Sequence, residues 1–285
     1  NNAEVIYSML HSDTNDTFMD FFYSIFDAVK ANPYVESGII YPPLTQLYYR
    51  ACALLLPEGF TSFEWRTHQS GYILITVNMI ISYLLLYKSL IPEGKENNKS
   101  VKNFILLLLF GTVPFWYAFE RANIILLTLA FLAYFVKYYN SDNKFKCEFS
   151  LICLAISVAF KIYPVCFGIL LLNKKHIFKA LRCCVYGVIF FFVPFAFVGG
   201  ISSIKTLIDN IANTTNIMTN NGWGYKLNVD NTVSFICNTL NISSSIGIIV
   251  KLVTIVAIVL IVLFAEKHWQ KLMALSSIMI LIPGF

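Results

Sequence analysis

Long apolar runs with few charged residues dominate this sequence. They lie at about residues 44–57, 70–91, 103–118, 122–137, 148–160, 162–172, 180–201, 245–265 and 271–285. A helix of roughly 20 apolar residues crosses the hydrocarbon core of a bilayer, so a chain of this length has room for about seven to nine passages. The runs therefore predict an all-α, polytopic membrane protein.

The composition agrees with the runs. Of the 285 residues 57% are hydrophobic and only 13% are charged, whereas about a quarter of a soluble domain is charged because its surface faces water. A soluble enzyme, a disulfide-built secreted module and a disordered region are excluded on this ground. The seven cysteines form no CxxC pair, which favours small buried residues over metal or disulfide chemistry.

The run at 148–172 is interrupted in its middle by Lys161 and Pro164. Proline removes a backbone donor, and a lysine is costly at bilayer depth unless it faces protein or water. We expect two half-spans that turn back near Lys161. One side of the membrane then collects thirteen of the 21 basic residues, as the positive-inside rule expects of the cytoplasmic face. These are Lys88, Lys95, Lys99, Lys102, Lys137, Lys144, Lys146, Lys174, Lys175, Lys179, Arg182, Lys267 and Lys271.

The same topology places most of the unusual polar residues on the extracytoplasmic side. We expect residues 1–43 to form an outer catalytic loop with an amphipathic helix, and residues 44–285 to form the transmembrane bundle. The chain lacks an initial methionine and ends inside an apolar run, so it is expected to be a fragment truncated at both ends. The lysine-rich loops contain no glycine-rich phosphate cradle, which favours chemistry on the outer face.

Between Asp20 and Ala31 the pattern predicts an amphipathic helix whose apolar face carries Phe22, Ile25, Phe26 and Val29. Asp20 and Asp27, seven residues apart, share another face. A surface helix with solvated carboxylates explains the two aspartates equally simply.

Two cations interrupt apolar stretches. Arg121 lies in a short connection between two runs, where its guanidinium suits bidentate contact with a lipid phosphate or snorkels to the headgroups. Lys161 at the junction of two half-helices indicates a functional site, with snorkelling as the alternative. The stretch 209–234, rich in Asn and Thr, is a candidate sugar-binding loop or a solvated connector.

The order of the polar motifs resembles glycosyltransferase family 87 of the GT-C superfamily, whose members use polyprenyl-phosphate sugars and include mannosyltransferases. The resemblance extends over roughly residues 16–285, with Ala122 where the family often has glycine. The motifs are Asp20-Phe21-Phe22-Tyr23, Asn32-Pro33-Tyr34, Tyr41-Pro42-Pro43, Arg121-Ala122-Asn123, Lys161-Ile162-Tyr163-Pro164 and Asp230-Asn231 with Ser234. It implies a GT-C-like helical bundle with broken, re-entrant helices and an outer-face juxtamembrane helix.

The resemblance also implies residue roles for the transfer of a hexose, chiefly mannose, during assembly of cell-envelope polysaccharide. Asp20 matches the catalytic aspartate of the family. Arg121, Lys161 and Tyr163 are the predicted donor-phosphate residues, and the predicted substrate-binding residues are Tyr23, Asp27, Tyr41, Asn123 and Asn231. The implied partners are a polyprenyl-phosphate sugar donor, a glycan or glycolipid acceptor and membrane lipids. No metal, cofactor or nucleic acid is expected, and the expected location is the plasma (inner) membrane, with multiple passages.

Two other functions fit the same features. A lipid-linked sugar flippase or transporter would also use a buried lysine and broken helices, although no second half of the chain repeats the break at Lys161. A polysaccharide polymerase would share the outer-face location and the use of arginine.

Overall fold

The computed structural model describes residues 17–90, 100, 103–104, 107–108, 111–172, 176–220, 229–240 and 245–281. Within these ranges the regular structure is helical and no strand occurs, so the predicted all-α class is confirmed. The helices are α1 (Met19–Ala28), α2 (Pro33–Glu36), α3 (Pro43–Ala53), α4 (Ser62–Thr67), α5 (Gln69–Leu90), α6 (Val113–Glu120), α7 (Ile125–Tyr138), α8 (Lys144–Phe160), α9 (Ile177–Phe192), α10 (Ser203–Asn220), α11 (Val229–Leu240), α12 (Ser245–Phe264) and α13 (His268–Leu281), with 3₁₀ helices at Tyr163–Leu171 and Val193–Ala196.

The helices pack into two compact units. The first contains the described residues up to Ile162 together with Phe178–Leu207, and the second contains those of Tyr163–Ile177 and Ile208–Phe285. In the first unit α7 packs between α5 and α8, and α1 packs on α3 and α4. In the second unit α12 packs against α11 and α13. The sequence-based division into an outer loop (residues 1–43) and a transmembrane bundle (residues 44–285) refers to membrane topology and stays a prediction.

Among the described residues, two helical segments are long and apolar enough to cross a membrane, Gln69–Ser89 and Ile177–Ala196. Shorter apolar helices occur at Ile125–Tyr138 and Leu252–Phe264. The multi-pass topology, the number of passages and the re-entrant half-spans stay predictions.

The predicted interruption at Lys161 is present in the backbone. Helix α8 ends at Phe160, Lys161 is extended with φ −144° and ψ 131°, and a 3₁₀ helix begins at Tyr163. Pro164 explains the break, because it has no backbone N–H to donate to the carbonyl of Phe160 four residues earlier, and its ring would clash with that carbonyl in a continuous α-helix.

The apolar face of α1 differs from the one the sequence predicted. Phe22 and Ile25 are fully buried as expected, but Phe26 and Val29 are 39% and 49% exposed, and Phe21 and Ala28 are buried in their place. The reason is tertiary packing: Phe21 makes edge-to-face contacts with Phe22 and with Tyr49 of α3, at centroid distances of 5.3 and 5.7 Å. These contacts rotate the buried stripe of the helix toward α3.

The C-terminal end of α1 is held by Arg50, the one charged residue of the apolar run 44–57. Its Nε donates to the carbonyl of Ala28 (2.6 Å) and its Nη2 to that of Lys30 (2.5 Å), while Nη1 donates to the carbonyl of Phe197 (2.5 Å). The last carbonyls of a helix lack intrahelical partners, and an arginine satisfies them well. Arg50 thereby fixes the end of α1 to the segment after the 3₁₀ helix Val193–Ala196.

A glycine permits the close packing at the start of α5. A Cβ at Gly71 would lie 2.0 Å from the carbonyl oxygen of Trp65 and 3.0 Å from Cζ of Phe22. Backbone cannot move away from such a contact cheaply, so only glycine fits here between α1, α4 and α5.

We therefore expect Gly71→Ala to lower the free energy of unfolding by about 1–3 kcal/mol, the usual cost of overpacking. The matched control is Gly187→Ala in α9, where an added Cβ meets nothing within 4 Å and helix propensity favours alanine. The measurement is the thermal midpoint of both variants in the same detergent. Equal midpoints for the two variants would contradict the packing argument.

Candidate active site

Asp20 lies in the first turn of α1, two residues after Phe18, which has an unusual backbone conformation. Phe18 has φ +59°, in the left-handed region that residues other than glycine seldom adopt. Its N–H donates to the carbonyl of Glu120 at 2.6 Å. The start of α1 is thus tied by its backbone to the turn between α6 and α7, although about 100 residues separate the two in sequence.

The Asp20 carboxylate accepts hydrogen bonds from two side chains of that turn. Arg121 donates to Oδ1 through Nε (3.0 Å) and Nη2 (2.9 Å), and Asn123 Nδ2 donates to Oδ2 at 2.8 Å. The side chains of Asp20 and Arg121 are 23% and 22% exposed, so the pair is partly shielded from water. Charge-assisted bonds of this kind are about twice as strong as neutral ones, and they fix both carboxylate oxygens.

The backbone of the turn brings Arg121 and Asn123 to the same carboxylate. Ala122 between them has φ +48° and is fully buried. The N–H of Asn123 donates back to the carbonyl of Ala118 at 2.9 Å, which closes a tight reversal. A non-glycine residue in the left-handed region costs roughly 1–2 kcal/mol, and strain of this kind concentrates at functional sites. Alanine thus adopts the conformation for which the related family often has glycine.

Asn123 also begins the next helix. Its Oδ1 accepts the N–H of Ile125 at 3.0 Å, which satisfies one of the unpaired donors at the start of α7. One side chain therefore holds both the Asp20 carboxylate and the first turn of α7.

A second cation, Lys161, lies close to this group. Its Nζ is 4.9 Å from the ring centroid of Tyr41. Burial lowers the pKa of Lys161, and the negative charge of Asp20 opposes this shift. Burial and, second to it, the charge of Asp20 raise the pKa of Tyr41 to about 12, against the opposing effects of a hydrogen bond to Asn123 and the charge of Arg121. These electrostatic couplings relate Tyr41 and Lys161 to Asp20.

Lys161 owes its position to α3. Thr45 Oγ1 donates to the carbonyl of Phe160 at 2.9 Å and is completely buried. It satisfies a carbonyl that the end of α8 leaves without an intrahelical partner, and it holds the extended Lys161 beside the start of α3.

Other predicted site residues have different surroundings. Asp27 Oδ1 accepts from Lys30 Nζ (2.8 Å) and from Ser37 Oγ (2.7 Å). Tyr23 is 47% exposed, with the Arg66 guanidinium 5.1 Å from its ring centroid. Their predicted roles in substrate binding stay predictions.

Tyr163 and Asn231 belong to the second unit. Tyr163 begins the 3₁₀ helix Tyr163–Leu171, and Asn231 lies in α11 with its side chain outside the described residues. Both assignments stay predictions.

The sequence does not predict three features of the site. The first is the left-handed conformation of Phe18 and Ala122, and the second is the set of hydrogen bonds from Arg50 to the end of α1. The third is Tyr117, whose ring centroid lies 5.3 Å from the Arg121 guanidinium. Arg50 alone had a sequence signal, as a lone charge in an apolar run. Across the described part of the chain no three His, Cys, Asp or Glu residues gather as a metal site would require.

An apolar groove begins beside the site. It has a volume of about 350 Å³ and is lined by α5 from Tyr72 to Leu86, by Phe18, and by Phe119 and Leu126 of the α6 and α7 region. Phe18 and Phe119 each lie two residues from a charged member of the site, Asp20 and Arg121 respectively. The groove lining therefore includes residues close in sequence to both charged members of the site.

Among known protein families, the model of glycosyltransferase family 87 matches this chain over residues 40–283. The matched stretch contains Arg121, Asn123 and Lys161, and begins after Asp20. No curated protein and no solved structure matches the chain. Since the match covers most of the sequence, the resemblance noted from the motifs is confirmed: this chain belongs to glycosyltransferase family 87, whose general activity is glycosyl transfer.

Proposed function

We propose that this protein transfers a hexose, chiefly mannose, from a polyprenyl-phosphate donor to a hydroxyl of a glycan or glycolipid at the extracytoplasmic face of the plasma (inner) membrane. Asp20 acts as the general base and the anomeric configuration is inverted. The observation that carries the proposal is the contact of the Asp20 carboxylate with Arg121 and Asn123, because it puts an oriented base and a fixed cation in one place.

The reaction needs one base and no acid. The acceptor oxygen forms a bond to the anomeric carbon, its proton passes to an Asp20 oxygen, and the bond between the anomeric carbon and the phosphate oxygen breaks. The electron pair of that bond leaves with the polyprenyl phosphate, which needs no protonation. A positioned general base contributes about 10²–10⁴-fold to such a step.

The two cations offset the negative charge that grows on the leaving phosphate. Stabilisation of developing charge by groups already in position is usually the largest single contribution to catalysis. A guanidinium has five N–H donors in a fixed fork, and Asp20 accepts from two of the nitrogens of Arg121. A donor phosphate that shares this guanidinium lies within reach of the base, which supports Arg121 and Lys161 as the phosphate-binding pair.

The groove supports a lipid-linked donor. From Tyr72 to Leu86 its α5 wall extends for roughly 21 Å at the helical rise per residue, and its wall is mostly aliphatic and aromatic. Transfer of a prenyl chain from water to such an apolar surface is favourable. Phe119 of the groove lining lies two residues from Arg121, which supports a donor whose phosphate is at Arg121 and whose prenyl chain is in the groove.

The remaining predicted residues complete the proposal. Tyr163 assists the donor phosphate, while Tyr23, Asp27, Tyr41 and Asn231 contact the sugar or the acceptor. Asn123 has two roles in the proposal: it orients Asp20, because its amide donates to the carboxylate, and it contacts the substrate.

The first prediction concerns the base. In the full-length protein, Asp20→Asn should lower the transfer rate by about 10²–10⁴-fold, because the amide cannot accept the proton. The measurement is transfer of radiolabel from polyprenyl-phosphate mannose in isolated membranes. Asp142→Asn is the control, since Asp142 is exposed and belongs to no proposed site, and it should leave the rate unchanged. Near-normal turnover by Asp20→Asn at equal expression would remove Asp20 from the mechanism.

The fate of the label in the same assay separates the rival functions. Label in an acceptor glycan or glycolipid supports the transferase. Label that becomes protected inside sealed vesicles without transfer supports a flippase. Growth of chains from preassembled units supports a polymerase.

The second prediction concerns the guanidinium. Arg121→Lys keeps the charge but loses the fork that contacts Asp20, so we expect the transfer rate to fall about 10–100-fold, the equivalent of one or two charge-assisted hydrogen bonds. Arg182→Lys is the matched control, since Arg182 pairs with Glu148 (2.7 Å) elsewhere in the same unit. An unchanged rate in Arg121→Lys would show that a point charge suffices.

The third prediction concerns the groove. Thr76→Trp places an indole in the groove lining, whereas Val77→Trp places it on an exposed part of α5 that does not line the groove. Thr76→Trp should raise KM for a long-chain polyprenyl donor about tenfold or more and have a smaller effect on a short-chain donor. Equal effects on both donors, or equal effects of the two variants, would contradict a prenyl site here.

A further inference from the structure

A second pocket lies at the opposite end of α5 from Asp20. Near the site, Tyr72 of α5 contacts Phe18 at a centroid distance of 6.5 Å. Lys88, sixteen residues further along the helix, lines the second pocket, so the two places are separated by roughly 24 Å at the helical rise per residue. The second pocket has a volume of about 460 Å³ and lies where α5 and α7 end and α8 begins.

Lysine and tyrosine side chains supply the polar groups of this pocket. Its lining contains Lys88, Lys146, Tyr134 and Tyr138 together with Leu85 and two phenylalanines, and none of these described lining residues is acidic. Ammonium groups and phenols are all hydrogen-bond donors. The lining is therefore suited to an anion with several acceptor oxygens.

A third lysine strengthens the positive charge. Lys137 Nζ donates to the carbonyl of Lys88 at 2.6 Å, and it lies 4.8 Å from the ring centroid of Tyr138. Lys146 Nζ lies 5.1 Å from the same centroid, so the two ammonium groups are at most about 10 Å apart. Like charges at this distance repel each other, most strongly where water is partly excluded, and a bound anion relieves the repulsion.

The rings around the lysines form a packed apolar wall. Tyr134 contacts Tyr138 at 4.5 Å and Phe149 at 5.2 Å between centroids, and Phe145 stacks on Phe149 at 6.3 Å. Phe145 and Lys146 belong to the first turn of α8, whose backbone dipole has its positive end there. The pocket thus combines cations and a helix N-terminus with an apolar wall.

We propose that this pocket binds the phosphate headgroup of an anionic membrane phospholipid, which stays bound while the protein turns over. The positive charge selects a phosphate, and the apolar wall selects a lipid over a free ion. Helix α5 contains one of the two described segments that are long and apolar enough to cross a membrane, and the pocket lies at its end, where headgroups are found. Basic pockets between membrane helices bind anionic headgroups in this way.

This lipid differs from the sugar donor. The donor phosphate proposed above lies at Arg121, at the other end of α5, and the second pocket shares no lining residue with the groove beside Asp20. The inference therefore stands whether or not Asp20 is the catalytic base.

The test uses the full-length protein in nanodiscs that contain phosphatidylcholine with a minor fraction of phosphatidylglycerol. Native mass spectrometry of the released protein measures how much phosphatidylglycerol it retains relative to phosphatidylcholine. The wild type should retain the anionic lipid in excess, and Lys88→Gln with Lys146→Gln should lower that excess about tenfold or more, since each lysine near the headgroup contributes about 1 kcal/mol. Lys88→Arg with Lys146→Arg keeps the charge and should retain most of the excess.

The matched control is Lys144→Gln with Lys267→Gln, which removes the same net charge from exposed positions outside the pocket and should leave the excess unchanged. No excess in the wild type, or an equal loss in the control variant, would overturn the proposal. A third arm adds inorganic phosphate to protein in pure phosphatidylcholine. If phosphate raises the thermal midpoint as much as phosphatidylglycerol does, the pocket is a soluble-anion site and the lipid assignment is wrong.

Discussion

The ion pair between Asp20 and Arg121 is the interaction on which the described site depends. A partly buried carboxylate is stable only when it is paired and hydrogen-bonded, because the loss of one partner leaves a charge without compensation. Asn123 completes the pairing at the second carboxylate oxygen, and the left-handed conformations of Phe18 and Ala122 bring the two segments into register. The backbone strain at these two residues therefore lies where two distant segments of the chain meet and bring Asp20 to Arg121 and Asn123.

The other end of α1 is held by a different arginine. Arg50 binds the carbonyls of Ala28 and Lys30 and joins them to Phe197, so the helix that carries Asp20 is fixed at both ends. A base mounted on a helix with two fixed ends keeps its orientation when a substrate binds, as efficient general-base catalysis requires. Arg50 contributes to the proposed reaction only by positioning α1, because it binds the C-terminal end of the helix while Asp20 lies in the first turn.

Much of this arrangement could be predicted from the sequence because the chain has so few charges. In an apolar protein each isolated charge needs a partner or a cavity, which singles out Arg121 and Lys161, whereas the role of Asp20 comes from its match to the catalytic aspartate of the family. Local patterns also predicted the all-helical class and the break at Lys161. They did not predict the contact between residues 20 and 121, nor the burial of Phe21 in place of Phe26, because helical periodicity specifies a face of a helix but not the neighbour that covers it. From the sequence, the lysines of the second pocket indicate only the cytoplasmic side of the predicted topology, because their clustering around Tyr138 is a tertiary feature.

The two ends of α5 use lysine and arginine in different ways. At the proposed catalytic end the guanidinium has a carboxylate partner within the protein, so the local charge stays balanced when a phosphate arrives or leaves. A site of that kind suits a substrate that must be released after each turnover. At the other end the pocket lining holds two lysines and no carboxylate, and departure of a bound anion leaves positive charges facing one another. A phosphate bound there is expected to exchange slowly, which is the behaviour of a resident lipid and not of a substrate.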